Sequence, residues 1–360
     1  VTSVPTTDPE DADAAAGSAT PEAFDRVEEV LATTRGLRDG AVVGVTAGGV
    51  SRVWQRGPLP DGAGSIFEIG SVTKTFTALL LADLAREGVV ALEDPVAAYL
   101  PVAPPVVGRP ITLEDLATHH SGLPRLPAGM TGPALTGRGG ALDRRDPYAH
   151  LDEAAMTEAL RLTTPTGPPG ERFSYSNFGA GLLGWALARR LSTTYDALVA
   201  QRLTGPLGLH DTWIDPPAEA RRRVATGHGW WGREAHPWHL AGLAGAGGLR
   251  STAADLLRFL AVFAEGAAGP LAAAAAATTR ARHEVGRLEA GLGWLRMPAG
   301  RAPKRLGLSE TVLFHDGGTG GFRSFAGLAP ATGAAAVVLS ARARGISGTG
   351  FRVLAAATGG

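Results

Sequence analysis

Ser71 and Lys74 stand three residues apart in the run Phe67-Glu68-Ile69-Gly70-Ser71-Val72-Thr73-Lys74. On a helix that spacing puts both side chains on one face, a turn apart. A serine hydroxyl attacks a carbonyl only when a neighbour takes its proton, and a lysine desolvated among apolar side chains loses its charged form. The backbone N–H of Ser71, at the positive end of the same helix, is placed to steady an oxyanion. By itself Ser-x-x-Lys recurs by chance as a capping serine and a snorkelling lysine. Composition gives it weight here: among 34 basic side chains only Lys74 and Lys304 are lysine. Arginine cannot deprotonate in a protein and so cannot do the same work.

Two more groups carry usable chemistry. Tyr175 and Asn177, in Phe173-Ser174-Tyr175-Ser176-Asn177, follow a Gly/Pro-rich turn. On a loop they would project a phenol and an amide into a cleft. The phenol serves as base or acid if a nearby ammonium favours its anion. Asn177 offers a donor and an acceptor for positioning an acyl amide. The third group is Phe314-His315-Asp316-Gly317-Gly318-Thr319-Gly320-Gly321-Phe322. Its glycines let a substrate approach the backbone, and the N–H of Gly318 could complete an oxyanion pair with Ser71.

The elements that must position these residues can be read from periodicity. Helical spacing runs over 21–34. Residues 40–46 and 50–57 alternate around Gly48-Gly49 and predict a β-hairpin. The stretch 71–87 is apolar nearly all round and is closed by Gly88, which predicts a helix inside the protein. Helical patterns dominate 94–225, interrupted by loops at 124–140 and 164–170. Ser251, Thr252 and Asp255 cap a helix that runs through Phe263. Strands are predicted at 291–297, 310–315, 321–328 and 334–340, then a terminal helix over 351–357. Strands at both ends with helices between predict an α+β sandwich. In it, one antiparallel sheet is assembled from both termini, flanked by helices, and carries an inserted helical lobe over about 94–250. Residues 1–20 read as a disordered leader before a single catalytic domain at 21–360.

Taken in order, the three groups resemble the serine β-lactamase-like superfamily, which includes class C β-lactamases, D-Ala-D-Ala carboxypeptidases and esterases of the same fold. The likeness extends over nearly the whole chain from Pro21. It includes Leu116-Ala117-Thr118-His119-His120-Ser121-Gly122-Leu123 and Gly247-Gly248-Leu249-Arg250-Ser251-Thr252-Ala253-Ala254-Asp255. The resemblance implies Ser71 as acyl-enzyme nucleophile, Lys74 as its base, and Tyr175 with Asn177 as the Tyr-x-Asn element. His315, Asp316 and Gly317 stand where many members have Lys-Thr-Gly. A lysine there is tied to binding a substrate carboxylate. Histidine is mostly neutral at pH 7 and anchors a carboxylate less well, but it can exchange protons with Tyr175. The expectation is therefore a serine hydrolase of esters or amides, with β-lactamase action placed behind it. The alternatives are transfer of the acyl group to an amine or alcohol, as in thioesterase-type or cyclising relatives, and an acylated sensor without turnover.

Bulk properties narrow the field. In 360 residues, 34 basic side chains balance 34 acidic ones, and there is no cysteine. Zero net charge removes the electrostatic case for nucleic acid, and any acyl-transfer nucleophile must be oxygen. No run reaches the length of a membrane span. No cofactor is expected, because the Gly245–Gly248 run lacks the context of a dinucleotide fingerprint. No Gly-x-Ser-x-Gly occurs to support an α/β-hydrolase. His228, His236 and His239 lack carboxylates at ligand spacing; with Trp230, Trp231 and Trp238 they read as an aromatic wall rather than a metal site. Arg221, Arg222 and Arg223 read as a solvated helix face. No signal peptide is visible, so the expected location is cytoplasmic, or secreted if the first residue is a processed end. The expected partner is a small-molecule or peptide acyl substrate.

Overall fold

The computed structural model describes residues 3–5, 21–130 and 145–359. It opens with β1 (Ser3–Pro5), α1 (Pro21–Thr33) and the hairpin β2 (Ala41–Ala47) and β3 (Val50–Arg56). β1 pairs antiparallel with β3, so three residues of the expected leader form a sheet edge. The remainder of 1–20 lies outside the described residues, as does most of the loop 124–140. After β4 (Phe67–Glu68) the chain makes a 3₁₀ turn, Gly70–Val72, and only then enters α2 (Thr73–Arg86). The apolar pattern predicts a single helix from 71, so the tighter first turn is a departure from it. Gly70 sits at φ +49°, and this left-handed residue is where β4 breaks away into the tighter turn.

The lobe contains α3 (Leu113–Ala117), α4 (Glu153–Leu162), α5 (Asn177–Arg190), α6 (Tyr195–Val199) and α7 (Ala244–Gly247). The chain returns through β5 (Arg250–Ser251), which pairs with β4. Next come α8 (Ala253–Ala261), capped by Thr252, and α9 (Ala272–Thr278). The last strands are β6 (His283–Val285), β7 (Leu288–Ala290), β8 (Leu295–Met297), β9 (Val312–Gly318), β10 (Arg323–Ala329) and β11 (Ala334–Ser340), followed by α10 (Ser347–Thr358). β6 and β7 went unpredicted because each is three residues of mixed polarity. Only 295–297 of the predicted strand 291–297 is extended.

One nine-stranded sheet results, in the order β1-β3-β2-β11-β10-β9-β8-β7-β6. The termini meet where β2 pairs with β11, Val42 opposite Leu339. Strand alternation then builds two cores. Val43, Val45, Trp54, Phe325 and Val338 pack against α1 and α10, whereas Val42, Val53, Ala326, Val337 and Leu339 face the interior shared with α2, α8 and the lobe. α2 is buried from Thr73 to Leu84, as its all-round apolar pattern requires. Phe76 on α2 stacks on Phe259 of α8 with ring centroids 3.7 Å apart. Its threonines find internal partners: Thr77 Oγ1 donates to the Gly245 carbonyl at 2.7 Å. No helix among the described residues is long and apolar enough to cross a membrane.

Candidate active site

The end of α2 carrying Lys74 points at the seam between sheet and lobe. Lys74 is 3% exposed and its Nζ has three neighbours: Ser71 Oγ at 3.0 Å, Asn177 Oδ1 at 2.9 Å and the Ala246 carbonyl at 2.6 Å. Burial, reinforced by the Arg125 cation, holds its pKa well below the ordinary lysine range. A neutral amine has two protons and one lone pair. The two carbonyl oxygens can only accept, so they take the two N–H bonds and leave the lone pair facing the Ser71 hydroxyl.

Ala246 was not singled out in the sequence. It lies on α7, which crosses α5 so closely that a Cβ on Gly245 would stand 2.9 Å from the Gly184 Cα. The Gly245–Gly248 run therefore sets helix packing, and through it the carbonyl that grips Lys74. A glycine-rich segment facing another glycine was the available signal.

Asn177 is the first residue of α5, capped by Ser176, and is not on a loop as expected. Because its Oδ1 faces Lys74, its NH₂ is turned to the cleft. Tyr175 precedes the cap. The Lys74 Nζ lies 4.9 Å from its ring centroid and the Arg125 guanidinium 5.1 Å. Burial pushes the phenol up to about 12, only partly opposed by its interaction with the Ser71 hydroxyl and by Arg125. The expectation that an ammonium would favour the phenolate is thus reversed, since desolvation outweighs both attractions.

His315 is buried on β9, behind Tyr175, with ring centroids 6.3 Å apart and no hydrogen bond between them. Its Nδ1 lies 2.7 Å from the Asp316 carbonyl, so Nδ1 carries the proton. Burial and the Lys74 charge lower its pKa to about 4. His119, named in the sequence only within the run 116–123, is a second buried imidazole here. It adopts φ +62°, packs on Tyr175 at 4.4 Å and accepts the Ser176 N–H at 3.2 Å. Burial first, then Lys74 and His315, keep it neutral.

The oxyanion elements meet backbone to backbone. The Thr319 N–H to Phe322 carbonyl bond closes the β9–β10 turn, and Gly318 pairs with Arg323 next to it. Antiparallel alternation makes that neighbour a non-hydrogen-bonded pair, which turns the Gly318 N–H away from β10. It faces the 3₁₀ turn: a Cβ on Gly70 would lie 2.7 Å from Gly318 N, and one on Gly317 only 2.9 Å from Ser71 N. Ser71 N–H precedes the turn's first internal donor, Val72, and is free for a ligand. Ser324 Oγ, donating to the Ile69 carbonyl at 2.6 Å, fastens the two segments together.

Ser71, Tyr175, Asn177, Gly317 and Gly318 line one cleft of about 520 Å³, with Lys74 beneath its floor and His315 behind its wall. Of the three tryptophans only Trp238 belongs to the wall, edge-on to Tyr148 at 5.0 Å. Trp230 and Trp231 are exposed elsewhere. His239 bonds Asp146, and no group of three or more metal-ligating side chains occurs among the described residues. Arg221 and Arg222 are exposed as expected, whereas Arg223 is half-buried: it bridges Asp61 and Asp211, each at 2.7 Å, and tethers the lobe to the segment before β4.

A model of the Beta-lactamase family matches residues 24–357. The chain belongs to the beta-lactamase family. It is 34% identical over 203 residues to the D-alanyl-D-alanine-carboxypeptidase/endopeptidase AmpH of Escherichia coli (strain K12), covering 54% of this chain and 48% of that protein. The match thus spans about half the length of that relative. A Beta-lactamase of Pseudomonas fluorescens is 26% identical over 317 residues, 81% of this chain and 83% of that one. Among solved structures, a class C beta lactamase from Rhodobacter sphaeroides superposes with TM-score 0.77 and 26% identity, over 94% of this chain and 99% of that one. The D-alanine carboxypeptidase AmpC from Burkholderia cenocepacia gives TM-score 0.74 and 26% identity, over 92% and 98%.

Proposed function

We propose that this family member cleaves esters and amides through an acyl-enzyme on Ser71. The observation that carries the reading is the buried Lys74 amine, its Nζ 2.9 Å from Asn177 Oδ1, 2.6 Å from the Ala246 carbonyl and 3.0 Å from Ser71 Oγ. Lys74 takes the hydroxyl proton as Oγ attacks the carbonyl carbon. The carbonyl oxygen, now negative, rests on the N–H groups of Ser71 and Gly318. Tyr175, protonated at neutral pH, hands its proton to the departing amine or alkoxide and is restored from Lys74. Water attacks the acyl-enzyme by the same route in reverse. The relatives' names, carboxypeptidase and beta-lactamase, both describe attack at a carbonyl next to nitrogen and support including amides.

His315 separates this reading from β-lactam hydrolysis. Buried and neutral, it supplies no positive charge for a β-lactam carboxylate.

Intact-mass measurement after incubation with a fluorophosphonate and, separately, a p-nitrophenyl ester tests the proposal. One adduct on the wild type and none on Ser71→Ala is expected; no adduct, or an equal one on the variant, overturns it. Nitrocefin hydrolysis at rates matching those of simple esters would overturn the placing of β-lactamase action behind esters. Product analysis with added amine reports whether the acyl group goes to water or to an acceptor.

A further inference from the structure

Three charged side chains line the cleft: Arg125, Asp316 and Arg323. Arg323 forms no ion pair with Asp316, but both are held in place. The Arg323 guanidinium bonds the Thr319 and Phe322 carbonyls at 2.9 and 2.7 Å and feels the Asp316 charge. Asp316 is also held by the Ser347 hydroxyl at 2.6 Å. Burial holds the pKa of Lys74, the remaining basic group, well below the ordinary lysine range. Arg125 has no such partner: its guanidinium lies over the face of Tyr175, and among the described residues no carboxylate pairs with it. The groups around it are Lys74, His119, Tyr148 and Tyr175, none of them a carboxylate.

Arg125 is exposed, but its backbone is anchored. The Arg125 carbonyl accepts the N–H groups of Asn177 and Phe178 at 2.9 and 3.2 Å, which ties the residue to the first turn of α5. Arg125 and Asn177 therefore share one wall of the cleft. Asn177 lines the cleft with its amide free to position a polar group on the acyl portion, and Arg125 lines the same cleft. A planar guanidinium with free donors is matched to a carboxylate, which it can hold through two parallel bonds.

We infer that Arg125 is a specificity residue that recognises a carboxylate on the acyl portion of the substrate. The preferred acyl donor is then a dicarboxylic half-ester or an acidic peptide rather than a neutral acyl group. The inference rests on the hydrolase reading above and names the substrate class of that same site.

The test compares kcat/KM for the mono-p-nitrophenyl ester of adipate with that for p-nitrophenyl hexanoate, the same chain length with and without the carboxylate. In low salt the wild type is expected to prefer adipate by about tenfold or more, with the preference shrinking as ionic strength rises. Arg125→Gln should bring the ratio to near one and Arg125→Lys should retain part of it. Taking the ratio cancels any effect of the substitution on Lys74 itself. A wild-type ratio of one or less, or an unchanged ratio in Arg125→Gln, overturns the inference. So does a preference that appears only when the carboxylate is moved to the leaving group, as in the hexanoyl ester of 4-hydroxybenzoate against its methyl ester. Failure of the wild type to turn over any of these esters overturns the hydrolase reading and, with it, this one; a turned-over hexanoate with no adipate preference overturns this one alone.

Discussion

The Ala246 carbonyl lies 2.6 Å from Lys74 Nζ, nearer than the Ser71 hydroxyl at 3.0 Å. The amine is thus gripped from the lobe and aimed at the sheet-side nucleophile. Its direction depends on two parts of the fold being in register.

Lys74 sets the acid limb of activity. Its folded pKa is depressed, so the competent neutral form is lost as pH falls through that value. The Arg125 cation helps to depress Lys74; Arg125→Gln should raise the lysine pKa and move the acid limb of kcat/KM to higher pH. Lys74→Arg, unable to deprotonate, should lose roughly 10³-fold or more in acylation. A pH–rate profile with a neutral p-nitrophenyl ester checks both.

Tyr175 is a proton carrier with its phenol up at about 12. An amine leaving group needs that proton, whereas p-nitrophenolate does not. Tyr175→Phe should therefore reduce kcat for an amide about tenfold or more beyond its effect on the activated ester. Equal losses on the two substrates would contradict the assigned role.

Gly317 has no room for a side chain: a Cβ would stand 2.2 Å from the Ile69 carbonyl, 2.4 Å from Ser324 Oγ and 2.9 Å from Ser71 N. Gly317→Ala should push β9 away from the 3₁₀ turn and lower kcat by about 10²–10³-fold with a smaller change in KM. Steady-state kinetics, with circular dichroism to show retained fold, decide it.

Glu68 is buried behind the cleft and holds Trp238, which lines it, together with Arg250. Its Oε1 accepts the Trp238 N–H at 3.0 Å and Arg250 at 3.4 Å, while Oε2 and the Thr319 hydroxyl are both buried without a hydrogen-bond partner. Glu68→Ala strands the Arg250 charge and should cost about 3–5 kcal/mol by urea denaturation; Glu68→Gln keeps both acceptor contacts and should cost far less. Burial raises the Glu68 pKa despite its opposing partners. The stability it contributes is complete below the ordinary carboxylate range and is lost as pH rises through the raised value. Wild type should lose stability relative to Glu68→Gln over that interval.

Much of this site was legible because its chemistry is carried by short runs. Ser71 and Lys74 share a turn, Tyr175 and Asn177 flank one cap, and His315, Gly317 and Gly318 lie on one strand. The sheet was legible too, since β2, β3, β10 and β11 alternate or are apolar over seven residues. What escaped depends on long-range contact. Ala246 and Arg125 act through a carbonyl and a charge that only the assembled lobe brings to Lys74. The Tyr175 pKa was misjudged because a neighbouring cation can be read from sequence, whereas the extent of burial cannot. The 3₁₀ turn before α2 follows from Gly70 pressing on Gly318, a contact between distant segments.

Pairing β2 with β11 has a consequence for how the molecule comes into being. The central ladder joins nearly opposite ends of the chain, so it closes late and slowly compared with the local hairpin β2–β3. Gly318 emerges from the ribosome long after Ser71 and Lys74. A nascent chain would carry its nucleophile and base for most of its synthesis without the strand that steadies the oxyanion, and would stay inert until the final strands dock.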